Sequence, residues 1–97
     1  MITRVVKMTF KSAEIERFLE IFRSSVKLIS AFDGCHDVKL TVDAGKENVY
    51  FTLSVWRSEK DLDSYRSSEL FKETWAKVKP LFAEKAEAWS LIDINLT

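Results

Sequence analysis

The side chains able to move a proton or attack a carbon are few in this chain. Its 97 residues hold one histidine, His36, and one cysteine, Cys35. Histidine alone has an unperturbed pKa suited to a base near neutral pH, so His36 is one catalytic candidate. It does not form a nucleophile–base pair with Cys35, because neighbours on an extended segment point to opposite faces. Cys35 reads as a half-buried bystander thiol. Tyr65 is the second catalytic candidate, since a phenol hydroxyl can donate a hydrogen bond to a phenolate or enolate. Phe71 and Trp75, one helical turn apart, offer walls for a planar ligand, and Trp56 joins them as a candidate pocket residue. The same aromatic stripe also fits an ordinary core. The pairs Glu14/Glu16, Asp61/Asp63 and Glu84/Glu87 lack apolar surroundings that would raise a carboxyl pKa, and read as helix starts and solvated faces. There is no Gly-rich phosphate loop, Ser/His/Asp set or nucleotide fingerprint. One His and one Cys do not fill a zinc or iron–sulfur site, so neither a metal nor a cofactor is expected.

Composition narrows the setting. Fifteen basic side chains balance fifteen acidic ones, which argues against nucleic acid, whose binding needs a clustered positive field. The first ten residues alternate apolar and polar types, unlike the apolar core of a secretory signal. No apolar run approaches the roughly 20 residues of a membrane span. A cytoplasmic protein that avoids membranes, folded as one domain over 1–97, is the expectation.

These candidates must be positioned by regular elements. Residues 2–10 alternate as a strand, Ile2, Val6, Met8 and Phe10 on one face with Arg4 as the exception. Ser12 is placed to cap a helix from 13 to about 30, whose apolar stripe is Ile15, Phe18, Leu19, Phe22, Val26 and Ile29. Phe32-Asp33-Gly34 ends it. Strands follow over 35–43 and 49–56, joined by a turn at Ala44-Gly45-Lys46. Val49, Phe51, Leu53 and Val55 mark the buried face of the second of these. Tyr50, Thr52, Ser54 and Trp56 lie on the other, with Trp56 packing under the next helix. Ser58 and Asp61 form a capping box for a short helix carrying Leu62 and Tyr65. Ser68 caps another, with Leu70, Phe71, Trp75 and Val78 inward, that stops near Pro80. Leu81-Phe82-Ala83 reads as a turn of helix and 85–96 as a closing strand.

The order β-α-β-β-α-α-β specifies an α+β, ferredoxin-like fold, a four-stranded antiparallel sheet with helices on one face. Val5, Tyr50, Trp56, Trp89 and Leu91 fall outside the regular inward stripes and predict an apolar outer sheet surface. A homodimer with two sheets face to face follows as the expectation.

Val55-Trp56-Arg57-Ser58-Glu59, with Leu62, Tyr65, Ser68, Leu70-Phe71 and Trp75, resembles the antibiotic biosynthesis monooxygenase family. The Ala31-Phe32-Asp33-Gly34-Cys35 bend resembles that family's turn after the first helix. The resemblance implies a dimeric α/β barrel with a pocket between sheet and helices in each subunit. It also implies a cofactor-independent monooxygenase acting on a small aromatic or quinol-type metabolite. The haem-degrading branch is set aside. It uses a His where this chain has Trp75, a Trp where it has Tyr65, and an Asn on the first strand, which has none. Many members also carry a Glu near Ser54 and a His near Tyr65 or Leu70, absent here. Those departures keep two alternatives open: a non-catalytic domain that binds a small apolar ligand or only dimerises, and an isomerase of a small oxygenated metabolite.

Overall fold

The computed structural model describes residues 1–96. Strand β1 (Ile2–Thr9) leads through a 3-10 turn (Ser12–Glu14) into helix α1 (Ile15–Ser30). Strands β2 (Cys35–Val42) and β3 (Val49–Trp56) follow, then helices α2 (Glu59–Arg66) and α3 (Glu69–Val78). A 3-10 turn (Lys79–Leu81) precedes strand β4 (Glu87–Ile92). The strands form one antiparallel sheet in the order β2-β3-β1-β4, the ferredoxin-like arrangement read from the sequence. No helix among the described residues is long and apolar enough to cross a membrane.

Most boundaries have local causes. The Ser58 hydroxyl accepts the Asp61 amide at 3.2 Å and donates to its carboxylate at 2.9 Å, starting α2. Ser68 accepts the Phe71 amide at 3.2 Å to start α3. Gly34 takes φ +90° where the chain turns out of α1, and a Cβ there would lie 2.5 Å from the Asp61 side chain. Only glycine suits both demands.

Three local expectations are corrected. Ser12 does not cap α1: it sits inside the 3-10 turn, and no side chain caps either the turn or the helix. The Glu14 amide donates instead to the Lys11 carbonyl at 2.8 Å, so the tighter turn absorbs a donor that a cap would otherwise serve. The helical turn expected at 81–83 lies at Lys79–Leu81, while Phe82 is extended and bridges Phe10. β4 is shorter than expected because Ile92 lies opposite Ile2, the first residue of β1, and pairing stops there.

The faces of the sheet are also reassigned. Trp56 stands beside Ile2, and Tyr50 beside Met8, so both aromatics belong to the helix-covered side. Trp56 is completely buried, and Tyr50 packs against Phe10 and Phe18. The outer face carries Val5, Trp89 and Leu91 as expected, joined by Phe51, Leu53 and Val55 from β3. β3 carries large aromatics on one face and aliphatic residues with Phe51 on the other, so alternation alone points the wrong way; pairing with β1 sets the direction.

Two packed clusters fill the ends of the space between sheet and helices. Met8, Phe10, Phe18, Val78 and Leu81 make one, with Phe10 and Phe18 ring centroids 4.1 Å apart. Ile2, Trp56 and Leu62 make the other, with Phe32, Cys35 and Tyr65 packed on it.

Candidate functional site

Between these clusters the sheet presents its least bulky side chains. The pairing register aligns Val38, Ser54, Arg4 and Ser90 in one cross-strand row, and Leu40, Thr52, Val6 and Ala88 in the next. Large rings occupy the rows beyond, at Trp56 and Tyr50. Short residues in the middle and rings at the ends leave a hollow that the helices roof over. The resulting cavity measures about 340 Å³, the small end of the range for small-molecule sites.

The roof is aromatic. Phe18 and Phe22 come from α1, Tyr65 from α2, and Phe71 and Trp75 from α3. The Phe71 and Trp75 rings lie nearly parallel at 9°, with centroids 5.8 Å apart. Tyr65 stacks on Trp56 at 4.8 Å and meets Phe32 and Phe71 edge-on. The tyrosine ring is thus clamped on three sides, which fixes where its hydroxyl can point. No other described side chain bonds to that hydroxyl, and Tyr65 belongs to the cavity lining. Burial, with a smaller push from Cys35, raises its pKa from 10.0 to about 12. Tyr65 therefore stays protonated at any physiological pH, and its hydroxyl is able to donate a hydrogen bond.

Tyr65, Phe71 and Trp75 are brought together in the cavity lining, as the sequence grouped them. Trp56 lies behind them: it supports Tyr65 and donates its indole N–H to the Ser54 hydroxyl at 2.9 Å. His36 lies elsewhere. It is exposed, on an irregularity between Cys35 and Asp37 where β2 begins, and is not among the cavity's lining residues. Burial raises the Cys35 thiol pKa, which keeps it a thiol at neutral pH.

The polar lining holds residues that sequence reasoning passed over: Arg4, Arg66, Thr52, Thr74, Ser54 and Glu87. The Arg4 guanidinium donates to the Ser90 hydroxyl at 3.0 Å, directly across the β1–β4 pairing. Desolvation lowers its pKa, and so does the neighbouring Arg66 charge, against a smaller opposing effect of Asp63. Glu87 borders the cavity, but it pairs with Lys7 on the same face of the sheet as Val5 and Trp89, where its carboxylate comes within 4.0 Å of the lysine. A signal for Arg4 was present: it is the one charged residue on the inward face of β1. The small middle of the floor also shows in β3, where Thr52 and Ser54 separate Tyr50 from Trp56.

Residues 1–77 match the family model of the antibiotic biosynthesis monooxygenases. No curated protein sequence matches the chain. Among solved structures, a conserved protein from Methanosarcina mazei Go1 is 22% identical, with 94% of this chain and 91% of that one covered at TM-score 0.88. An antibiotic biosynthesis monooxygenase is 16% identical, covering 98% and 100% at TM-score 0.91. A protein from Mycobacterium tuberculosis is 17% identical, covering 97% and 95% at TM-score 0.89. At these identities the solved structures establish likeness of fold.

Proposed function

The chain belongs to the antibiotic biosynthesis monooxygenase family, and on that premise we propose that it oxidises a small, planar, electron-rich aromatic or quinol-type metabolite with O₂ and no cofactor. The observation that supports this reading is the aromatic-walled cavity of about 340 Å³ with a permanently protonated tyrosine at its edge. Such chemistry asks little of a protein. The substrate gives up a proton, and its anion passes an electron to O₂. The resulting pair joins as a peroxide, and loss of water leaves a carbonyl. A CH₂ group and O₂ thus become C=O and H₂O. The cavity's part is to hold the ring flat between Phe71, Trp75 and the sheet, to exclude water, and to stabilise the developing oxyanion with the Tyr65 hydroxyl. His36, outside the cavity, has no part in this proposal.

The assembly is a proposed homodimer built on the outer sheet face. Val5, Phe51, Leu53, Val55, Trp89 and Leu91 form an apolar surface there, with Trp89 44% and Leu91 53% exposed in the isolated chain. A contiguous surface of this kind favours association.

Oxygen uptake with a panel of quinols and anthrones tests the reaction. Turnover that falls in Tyr65→Phe supports it. Binding without oxygen uptake across the panel points to the second reading, a non-catalytic ligand-binding domain. That reading is favoured by one observation: Glu87 borders the cavity, but its side chain lies beside Lys7 on the outer sheet face and is poorly placed as a base.

A further inference from the structure

We propose that the cavity is built for a planar aromatic carboxylate, held by the guanidinium groups of Arg4 and Arg66; this rests on the cavity being a ligand site, as in the reading above. The geometry comes first. Both arginines line the same apolar hollow, one rising from the sheet floor and one from α2. Neither forms an ion pair with a described residue: the ion pairs found are Lys7–Glu87, Arg57–Asp33 and Arg57–Asp61. Among the described residues the one hydrogen-bond partner of the Arg4 side chain is the neutral Ser90 hydroxyl at 3.0 Å, which aims the group without cancelling its charge. Arg66 has no side-chain partner at all among the described residues.

Two like charges beside an apolar cavity repel; the Arg4 pKa is lowered mainly by desolvation and further by that repulsion. Such an arrangement persists at a cost that an anion would relieve. Asp63 offsets part of the charge from a distance, and the Glu87 carboxylate lies beside Lys7 on the outer face of the sheet. A guanidinium fork matches a carboxylate bidentately, while the stacked Phe71 and Trp75 match a flat ring. Ring and carboxylate together define the ligand class.

The test uses 1-naphthoate and its neutral isostere 1-naphthamide, with binding followed by tryptophan fluorescence and calorimetry. Naphthoate should bind at least about tenfold more tightly, and the advantage should shrink in high salt. Arg66→Gln, an exposed change that does not threaten the sheet, should remove most of the preference while leaving naphthamide binding within about twofold. Arg4→Gln should do the same, and Ser90→Ala should weaken naphthoate binding more mildly by freeing the Arg4 side chain. Equal affinity for the two probes overturns the proposal. So does a preference that survives both arginine changes, or failure of both probes to bind at millimolar concentration. Oxygen uptake is read separately. Neutral quinols turned over without any carboxylate preference would remove this inference and leave the oxygenase standing, and carboxylate preference without oxygen uptake would do the reverse.

Discussion

Replacing Tyr65 by Phe separates what its ring does from what its hydroxyl does. The ring is held by Trp56, Phe32 and Phe71, and phenylalanine keeps those contacts. The hydroxyl has no described protein partner, so its loss should leave stability near neutral pH within about 0.5 kcal/mol of wild type. The alkaline limb should differ. The pKa of Tyr65 rises from 10.0 in the unfolded chain to about 12 in the fold. Its contribution to stability is therefore complete below pH 10 and is lost as pH rises toward 12, where the unfolded chain ionises first. Two pH units correspond to about 2.7 kcal/mol. Denaturant melts at pH 8 to 11.5 should show wild type losing roughly 2 kcal/mol more than Tyr65→Phe across that range. In the oxygen-uptake assay, loss of a hydrogen bond to a developing anion should lower kcat/KM about 10- to 100-fold. Equal alkaline limbs would refute the burial of the phenol. A fall of several degrees in Tm at pH 7 would show that the hydroxyl holds the fold together, against its assignment to the ligand.

Other outcomes follow from the same contacts. Gly34→Ala combines positive φ with an approach of 2.5 Å to Asp61; it should cost at least about 2 kcal/mol and lower Tm by roughly 8–16 °C in calorimetry. Hydrogen bonds from Arg57 and Ser58 hold the Asp61 pKa below its ordinary value. Its contribution is present above about pH 4 and lost as pH falls through the lowered pKa, so the stability gap between wild type and Asp61→Asn should close in acid melts. Thr52→Leu, on the cavity floor, should abolish ligand binding while changing stability by less than about 1.5 kcal/mol. Leu53→Glu on the outer sheet face should convert the proposed dimer to a monomer in sedimentation. A wild type that sediments as a monomer at micromolar concentration would remove the dimer proposal outright.

The sequence by itself determined the element order. The clean alternation of β1, the 3.6-residue stripe of α1, Ser58 and Ser68 as caps, Gly34 as the bend and Pro80 as the stop are all local signals, readable because each is fixed by backbone sterics or by a neighbour three or four residues away. It also grouped Tyr65, Phe71 and Trp75, which lie on consecutive short helices. Only the tertiary structure decided which face of β3 meets the helices, because both carry large hydrophobic side chains and the choice is made by register against β1. The cavity was likewise beyond local reach: it exists because Ser54, Thr52, Arg4, Ala88 and Ser90, from three strands far apart in the chain, fall in adjacent rows between two packed clusters. Arg4 looked like a flaw in an apolar strand until those rows gave it a place, and His36 looked apt until the irregularity in β2 left it in water. A residue's type travels with the sequence, but its neighbours across a sheet are set by pairing, and it is those neighbours that decide whether a charge is solvated or waiting for a ligand.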